Sequence, residues 1–129
     1  MPKLERTKGR ASVKRFLAIP IQVLESENYS KLSAWSVKLI VDVAKQYNGK
    51  NNGDLHAAWS IMQDHGWNSP STLNNAVNEA VDLGFIELTR QGGRNKASLY
   101  AITWKPIDEC KGKHDAKPSA VASNLWKQN

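Results

Sequence analysis

The sequence predicts an α+β fold: a three-helix core followed by a small antiparallel β-sheet whose hairpin has a basic tip. Three observations carry this reading. An apolar stripe of helical period begins at Ala34. Two further helical stretches meet at His65-Gly66-Trp67-Asn68-Ser69-Pro70-Ser71-Thr72, where a helix stop and a helix start stand side by side. After Gly84 the apolar period changes from 3.6 to 2, on either side of a turn reading Gln91-Gly92-Gly93-Arg94-Asn95-Lys96.

Residues 1–15 lack periodicity and read as a flexible basic arm. Phe16 to Ile19 is apolar and runs into Pro20, which suits the first position of a short helix, Ile21 to Ser26, because no N–H bond is lost there. Glu27 to Ser30 reads as a turn. Ser33 is placed to cap a helix from about Ala34 to Tyr47. In that helix Trp35, Leu39 and Val43 share one face, and Val37, Ile40, Ala44 and Tyr47 widen it. Lys38, Asp42, Lys45 and Gln46 fall outside the stripe.

Asn48 to Gly53 cannot continue a helix. Asp54-Leu55-His56 reads as a short strand, and Ala58 to His65 as a helix of about two turns with Ile61 and Met62 inward. Gly66 ends that helix in the left-handed conformation glycine tolerates. Ser69 caps the next helix and Pro70 opens it. It runs to Leu83, with Gly84 as its stop. Leu73, Ala76, Val77, Ala80 and Val81 form its buried stripe, while Ser71, Asn74, Asn75, Asn78 and Asp82 face away. In the hairpin, Ile86 and Leu88 alternate with Glu87 and Thr89, and Tyr100, Ile102 and Trp104 with Leu99, Ala101 and Thr103. The tip should be a flexible turn. Pro106 ends the sheet. Residues 107–129 read as a flexible basic tail in which Ala120 to Trp126 has the pattern of a short amphipathic helix for a protein partner.

A chain of 129 residues has room for one domain, residues 16–106, between the two extensions. No apolar run approaches the roughly 20 residues of a membrane span, and the N-terminus has no signal-peptide pattern. Cys110 is the single cysteine, so no internal disulfide is expected. These features predict a cytoplasmic protein without a membrane partner. The sequon Asn28-Tyr29-Ser30 is then a chance match. The net charge of +6 is uneven. Residues 1–15 hold six basic side chains against one acid, residues 16–110 eight against ten, and residues 111–129 four against one. Cationic arms of this kind suit a phosphate backbone, because each neutralised phosphate releases counterions.

Catalysis and metals have little to stand on. Cys110 and His114 have ligand-like spacing but no further ligands, and His56 and His65 belong to different elements. There is no phosphate-binding glycine loop or nucleophile motif. No enzyme activity, metal or cofactor is predicted. Trp35, Trp59, Trp67, Tyr100 and Trp104 read as core rather than as a base-stacking platform, and Trp126 as the aromatic free to meet a partner.

Taken in order, Leu32-Ser33, Asn51-Asn52-Gly53, Gly66-Trp67-Asn68-Ser69-Pro70-Ser71-Thr72, Gly84-Phe85-Ile86, the basic tip and Ser98-Leu99-Tyr100-Ala101-Ile102-Thr103-Trp104 resemble a winged helix-turn-helix. The resemblance covers about residues 16–106 and points to small bacterial and phage proteins, both transcription regulators and replication-initiator-like domains. It implies that the helix after Ser69 enters the major groove of double-stranded DNA, with Ser69, Ser71, Thr72, Asn74, Asn75 and Asn78 as its reading face. It implies a wing of Arg90, Gln91, Arg94, Asn95 and Lys96. The arm residues Lys3, Arg6, Lys8, Arg10, Lys14 and Arg15 would add phosphate contacts. Asparagine can bond adenine through N6 and N7, and hydroxyls near a helix N-terminus suit phosphate oxygens. The helix holds no Lys or Arg and carries Glu79 and Asp82 instead. Regulators of this type often dimerise on paired half-sites, so a homodimer is a further expected partner. Two other readings stand beside the regulator: an origin-binding initiator domain, and a protein-interaction adaptor in which Glu79 and Asp82 face a basic partner.

Overall fold

Two serines set where the long helices begin. The Ser33 hydroxyl accepts the Ser36 N–H at 3.2 Å and the Ser69 hydroxyl accepts the Thr72 N–H at 3.1 Å, each satisfying a donor that has no partner within its helix. The computed structural model describes residues 14–128. Its elements are α1 (Ile21–Leu24), α2 (Glu27–Ser30), α3 (Ala34–Ala44), β1 (Leu55–His56), α4 (Trp59–Met62), α5 (Pro70–Asp82), β2 (Ile86–Arg90) and β3 (Leu99–Ile102). A 3₁₀ turn, Gln63–His65, extends α4, and two others lie at Cys110–Gly112 and Leu125–Lys127. The architecture is α+β, with a three-stranded antiparallel sheet in the order β1-β3-β2. No helix among the described residues is long and apolar enough to cross a membrane.

The helical boundaries depart from expectation where a local bond intervenes. Ser26 accepts the Tyr29 N–H, so Glu27–Ser30 is a helical turn and α1 stops at Leu24. The longer helix ends at Ala44, not Tyr47. Beyond it the Gln46 and Tyr47 amides bond three residues back, to Val43 and Ala44, which tightens the chain out of the α-helix. In α4, Met62 is buried but Ile61 is 42% exposed. Leu39, Val43, Leu73, Ala76 and Ala80 join Leu55, Phe85, Ile86 and Ile102 in one core, as the stripes predict.

The sheet departs further. A bulge between Leu88 and Arg90 breaks the two-residue period. It turns Thr89 inward, where its hydroxyl donates to the Gly53 carbonyl at 2.7 Å, and leaves Leu88 44% exposed. In β3 and just beyond it, Leu99, Ala101, Ile102, Thr103 and Trp104 are all buried and Tyr100 is half-buried, so the predicted alternation does not appear.

What covers the second face is the segment expected to be a free tail. Residues 107–128 form a strap across the sheet. The Asp115 N–H bonds the Thr89 carbonyl at 2.8 Å, and the Asn124 N–H bonds the Thr103 carbonyl at 2.7 Å. Trp126, expected to be free for a partner, lies in the core, and the amphipathic helix expected over Ala120 to Trp126 is only the 3₁₀ turn Leu125–Lys127. Gly84 makes this passage possible. Its φ of +87° is left-handed, and a Cβ there would run into the Leu125 carbonyl. Asn28, the sequon asparagine, is buried and donates to the carbonyls of Leu83 and Gln128, joining α2 to the strap.

Asn52 turns the chain from sheet to strap. It is fully buried. Its amide donates to the carbonyls of Ile102, Lys105 and Pro106 at 3.0, 3.1 and 2.9 Å, while its side-chain oxygen accepts the Ile102 N–H at 2.8 Å. Its backbone N–H bonds the Asp108 carboxylate and its carbonyl accepts the Asp108 N–H, each at 2.8 Å. Asn52→Ala should therefore destabilise the fold by about 3–5 kcal/mol, because the carbonyls of Ile102, Lys105 and Pro106 lose this donor and the Ile102 N–H its acceptor. Urea unfolding measures the loss. Amide exchange should show the strap losing protection first, and uniform loss across α3 and α5 would place the effect elsewhere.

Candidate nucleic-acid interface

The helix-to-helix turn is held from below by a buried acid. Asp42, predicted to fall outside the apolar stripe, is 6% exposed. Its carboxylate accepts the Trp67 indole N–H and the Lys38 ammonium, both at 2.9 Å, with Lys45 at 3.5 Å. Lys38 also donates to the His65 carbonyl at 2.7 Å and sits 5.5 Å from the Trp67 ring. Apolar periodicity could not reveal this, because the Trp67 indole that meets Asp42 comes from the turn, while Lys38 and Lys45 flank it on α3 and its C-cap. Burial pushes the Asp42 carboxyl up, but hydrogen bonds from Lys38 and Trp67 and the charges of Lys38 and Lys45 outweigh it, so its pKa lies below the ordinary value. These contacts fix the entry angle of α5.

Glu79 fixes the other side. Its carboxylate accepts the Ser33 N–H at 2.8 Å, just ahead of the first turn of α3, and that bond holds its pKa below the usual carboxylate value. It is therefore tied into the fold rather than offered to a basic partner.

The outward side of α5 carries Ser71, Asn74, Asn75, Asn78 and Asp82, all exposed. The predicted face divides by chemistry. Ser69 caps the helix, and its hydroxyl also donates to the Thr72 hydroxyl at 3.0 Å and lies 3.3 Å from that of Ser71. The side chains of Asn74, Asn75 and Asn78 enter no hydrogen bond among the described residues.

The hairpin tip is tighter than a flexible loop. Gly93 and Lys96 exchange backbone bonds of 2.8 and 3.1 Å, with Asn95 in the left-handed region at φ +58°. Gln91, Arg94, Asn95 and Lys96 are exposed. Arg94 and Lys96 make no ion pair among the described residues. Arg90 is different: its guanidinium donates to the Ala97 carbonyl at 2.7 and 3.2 Å and to the Lys113 carbonyl at 3.2 Å. It braces the hairpin to the strap.

Of the arm, Lys3, Arg6, Lys8 and Arg10 lie outside the described residues. Lys14 is exposed, while Arg15 donates to the carbonyls of Lys45 and Tyr47 at 3.3 and 2.9 Å, anchoring the arm to the end of α3. The aromatic residues also divide. Trp67 and Trp104 are buried as expected, but Trp35 is 42% exposed, its ring tilted against Trp67 at 5.1 Å. Trp59 and Tyr100 are half-buried and line an open cleft of about 290 Å³ between α5 and the base of the hairpin, together with Asn74 and Ser98. Sequence reasoning missed this cleft because it counted both rings as core. No group of His, Cys, Asp or Glu among the described residues is placed to hold a metal ion.

No protein-family model, curated protein or solved structure matches the chain.

The depressed pKa of Asp42 makes a pH prediction. Its stabilising contribution is fully present above the unfolded carboxylate value of 3.8 and fades as pH falls below it through the lower folded pKa. Asp42→Asn should thus be less stable than the parent at pH 7, and the gap should narrow steadily as the solution is acidified below pH 4. Denaturant unfolding of both proteins across this range is the measurement. A gap that stays constant would remove the carboxylate charge from the account.

Proposed function

We propose that this chain is a winged-helix protein that binds double-stranded DNA with sequence preference, as a transcription regulator of a bacterium or mobile element. In this reading α3, α4 and α5 are the three helices of the module, α5 enters the major groove, and the hairpin from Arg90 to Ala97 is the wing. One observation carries it. Unbonded amides at Asn74, Asn75 and Asn78 stand on the outward side of α5, and the cleft that Asn74 shares with Ser98 brings that helix beside a hairpin whose Arg94 and Lys96 have no internal counter-ion among the described residues. Amides of this kind suit base edges, and cations on a rigid tip suit phosphates or a narrow minor groove. The regulatory role rests on the resemblance; the chemistry rests on these side chains. The adaptor reading has less support, because Glu79 is bonded to Ser33 and only Asp82 is left to meet a basic partner.

Two substitutions test the assignment separately. Arg94→Ala with Lys96→Ala should weaken binding on every DNA sequence and lower the slope of log affinity against log salt by roughly one per lost phosphate contact. A slope that does not change would remove the hairpin from the interface. Asn75→Ala should relax preference at one or two base pairs, costing about 1–3 kcal/mol there. Selection from random duplexes reads this directly, and equal loss on all sequences would make Asn75 a backbone contact.

A further inference from the structure

The cleft between α5 and the hairpin has a construction that an intact duplex does not use. Its aromatic members come from separate elements, Trp59 at the start of α4 and Tyr100 in β3. Each is partly buried against the core and lines the cleft. Leu73 and Val77, from the buried stripe of α5, line it between them. Two polar groups complete the lining. The Asn74 amide is exposed and unbonded among the described residues, offering a donor and an acceptor side by side. The Ser98 hydroxyl accepts the Gly92 N–H at 2.9 Å and lies beside the Tyr100 phenol.

From these features we infer that the cleft receives a single unpaired nucleobase of a bound DNA strand, an inference that rests on the DNA-binding reading above. Aromatic surface offers stacking to the face of a base, and a paired, stacked base exposes only its edge in the groove. A base must leave the stack to present its face, and a damaged, mismatched or single-stranded position makes that least costly. The Asn74 amide then meets a base edge, which needs adjacent donor and acceptor positions. Charge agrees with this occupant. Ala97 and Ser98 of the cleft follow directly on Lys96, and Arg94 lies two residues earlier. A strand whose phosphates rest on those cations brings its nearest bases to the cleft, whereas an apolar peptide would leave both cations unanswered. The ligand class is therefore DNA with a local unpaired position: a gap, a bulge or a duplex–single-strand boundary.

The test uses the full chain and two DNAs that differ at one position. One is a fully paired duplex. The other carries a single unpaired 2-aminopurine at the same place. The unpaired base should tighten binding about tenfold or more, and its fluorescence should be quenched on binding as it stacks. Trp59→Ala should abolish both the gain and the quench while leaving paired-duplex affinity and its salt slope unchanged. Trp59→Phe, which keeps a ring over the core, should retain the quench. Equal affinity of the wild-type protein for the two DNAs overturns the inference whether or not the variants fold. So does a quench that persists undiminished in a folded Trp59→Ala protein. Failure to bind either DNA would instead overturn the parent DNA-binding reading, so the two failures are distinguishable.

Discussion

The carboxamide of Asn52 is the constraint on which the arrangement depends. An asparagine with four side-chain bonding sites, wholly inside a protein, must find partners for all of them or lose stability. Here the amide nitrogen reaches three carbonyls and the side-chain oxygen accepts one N–H, all on one stretch from Ile102 to Pro106, just where the last strand ends. A strand that would otherwise run out into solvent is bent over the sheet. Asp108, bonded to the Asn52 backbone on both sides, completes the bend. Everything downstream follows from that direction of exit: the strap lies on the sheet, Trp126 enters the core, and the passage over Gly84 requires the residue with no side chain.

This exit alters the electrostatic picture of the molecule. Counted along the chain, residues 111–129 look like a second cationic extension. Folded, they are part of the body. Lys113 pairs with Asp54 at 3.2 Å, and its carbonyl accepts the brace from Arg90. Lys127 sits over the Trp126 ring. Two of the four lysines, Lys113 and Lys127, are drawn into local contacts, while Arg94 and Lys96 stand out at a turn whose geometry is closed by its own backbone bonds. A rigid tip loses less conformational freedom on meeting a polyanion than a loose tail does.

Much of the fold was legible from sequence because its signals are local. Ser33, Gly66, Ser69, Pro70 and Gly84 act within one helical turn of themselves, and each does what its position predicts. The apolar stripes of α3 and α5 were legible for the same reason. What could not be read depends on residues distant in the chain. Asp42 accepts the indole N–H of Trp67 from 25 residues away; Thr89 is turned by a bulge onto Gly53; Thr103 is buried where the strap returns to bond its carbonyl. The site follows the same division. The three asparagines of α5 were visible as polar positions on a helical wheel. The bracing of Arg90 against Ala97 and Lys113, the capture of Glu79 by Ser33 and the partial burial of Trp59 and Tyr100 were not, since each depends on tertiary neighbours.

The capture of Glu79 bears on how a helix without Lys or Arg could serve at a DNA surface. An acid on the reading face would repel phosphates and select against binding; an acid bonded to the backbone at the head of α3 has its charge offset by the helix dipole and by its hydrogen bond. The same contact ties α5 to α3. Asp82 remains exposed, and it lies at the last position of the helix, three turns from the capped end where Ser71, Asn74 and Asn75 stand. Attraction is thus weakest at the C-terminal end of α5 and strongest towards the hairpin. If DNA binds here, affinity must come from the tip and discrimination from the amides, and a protein built this way can separate the two: cations hold any duplex, and uncharged side chains decide which one is held longest.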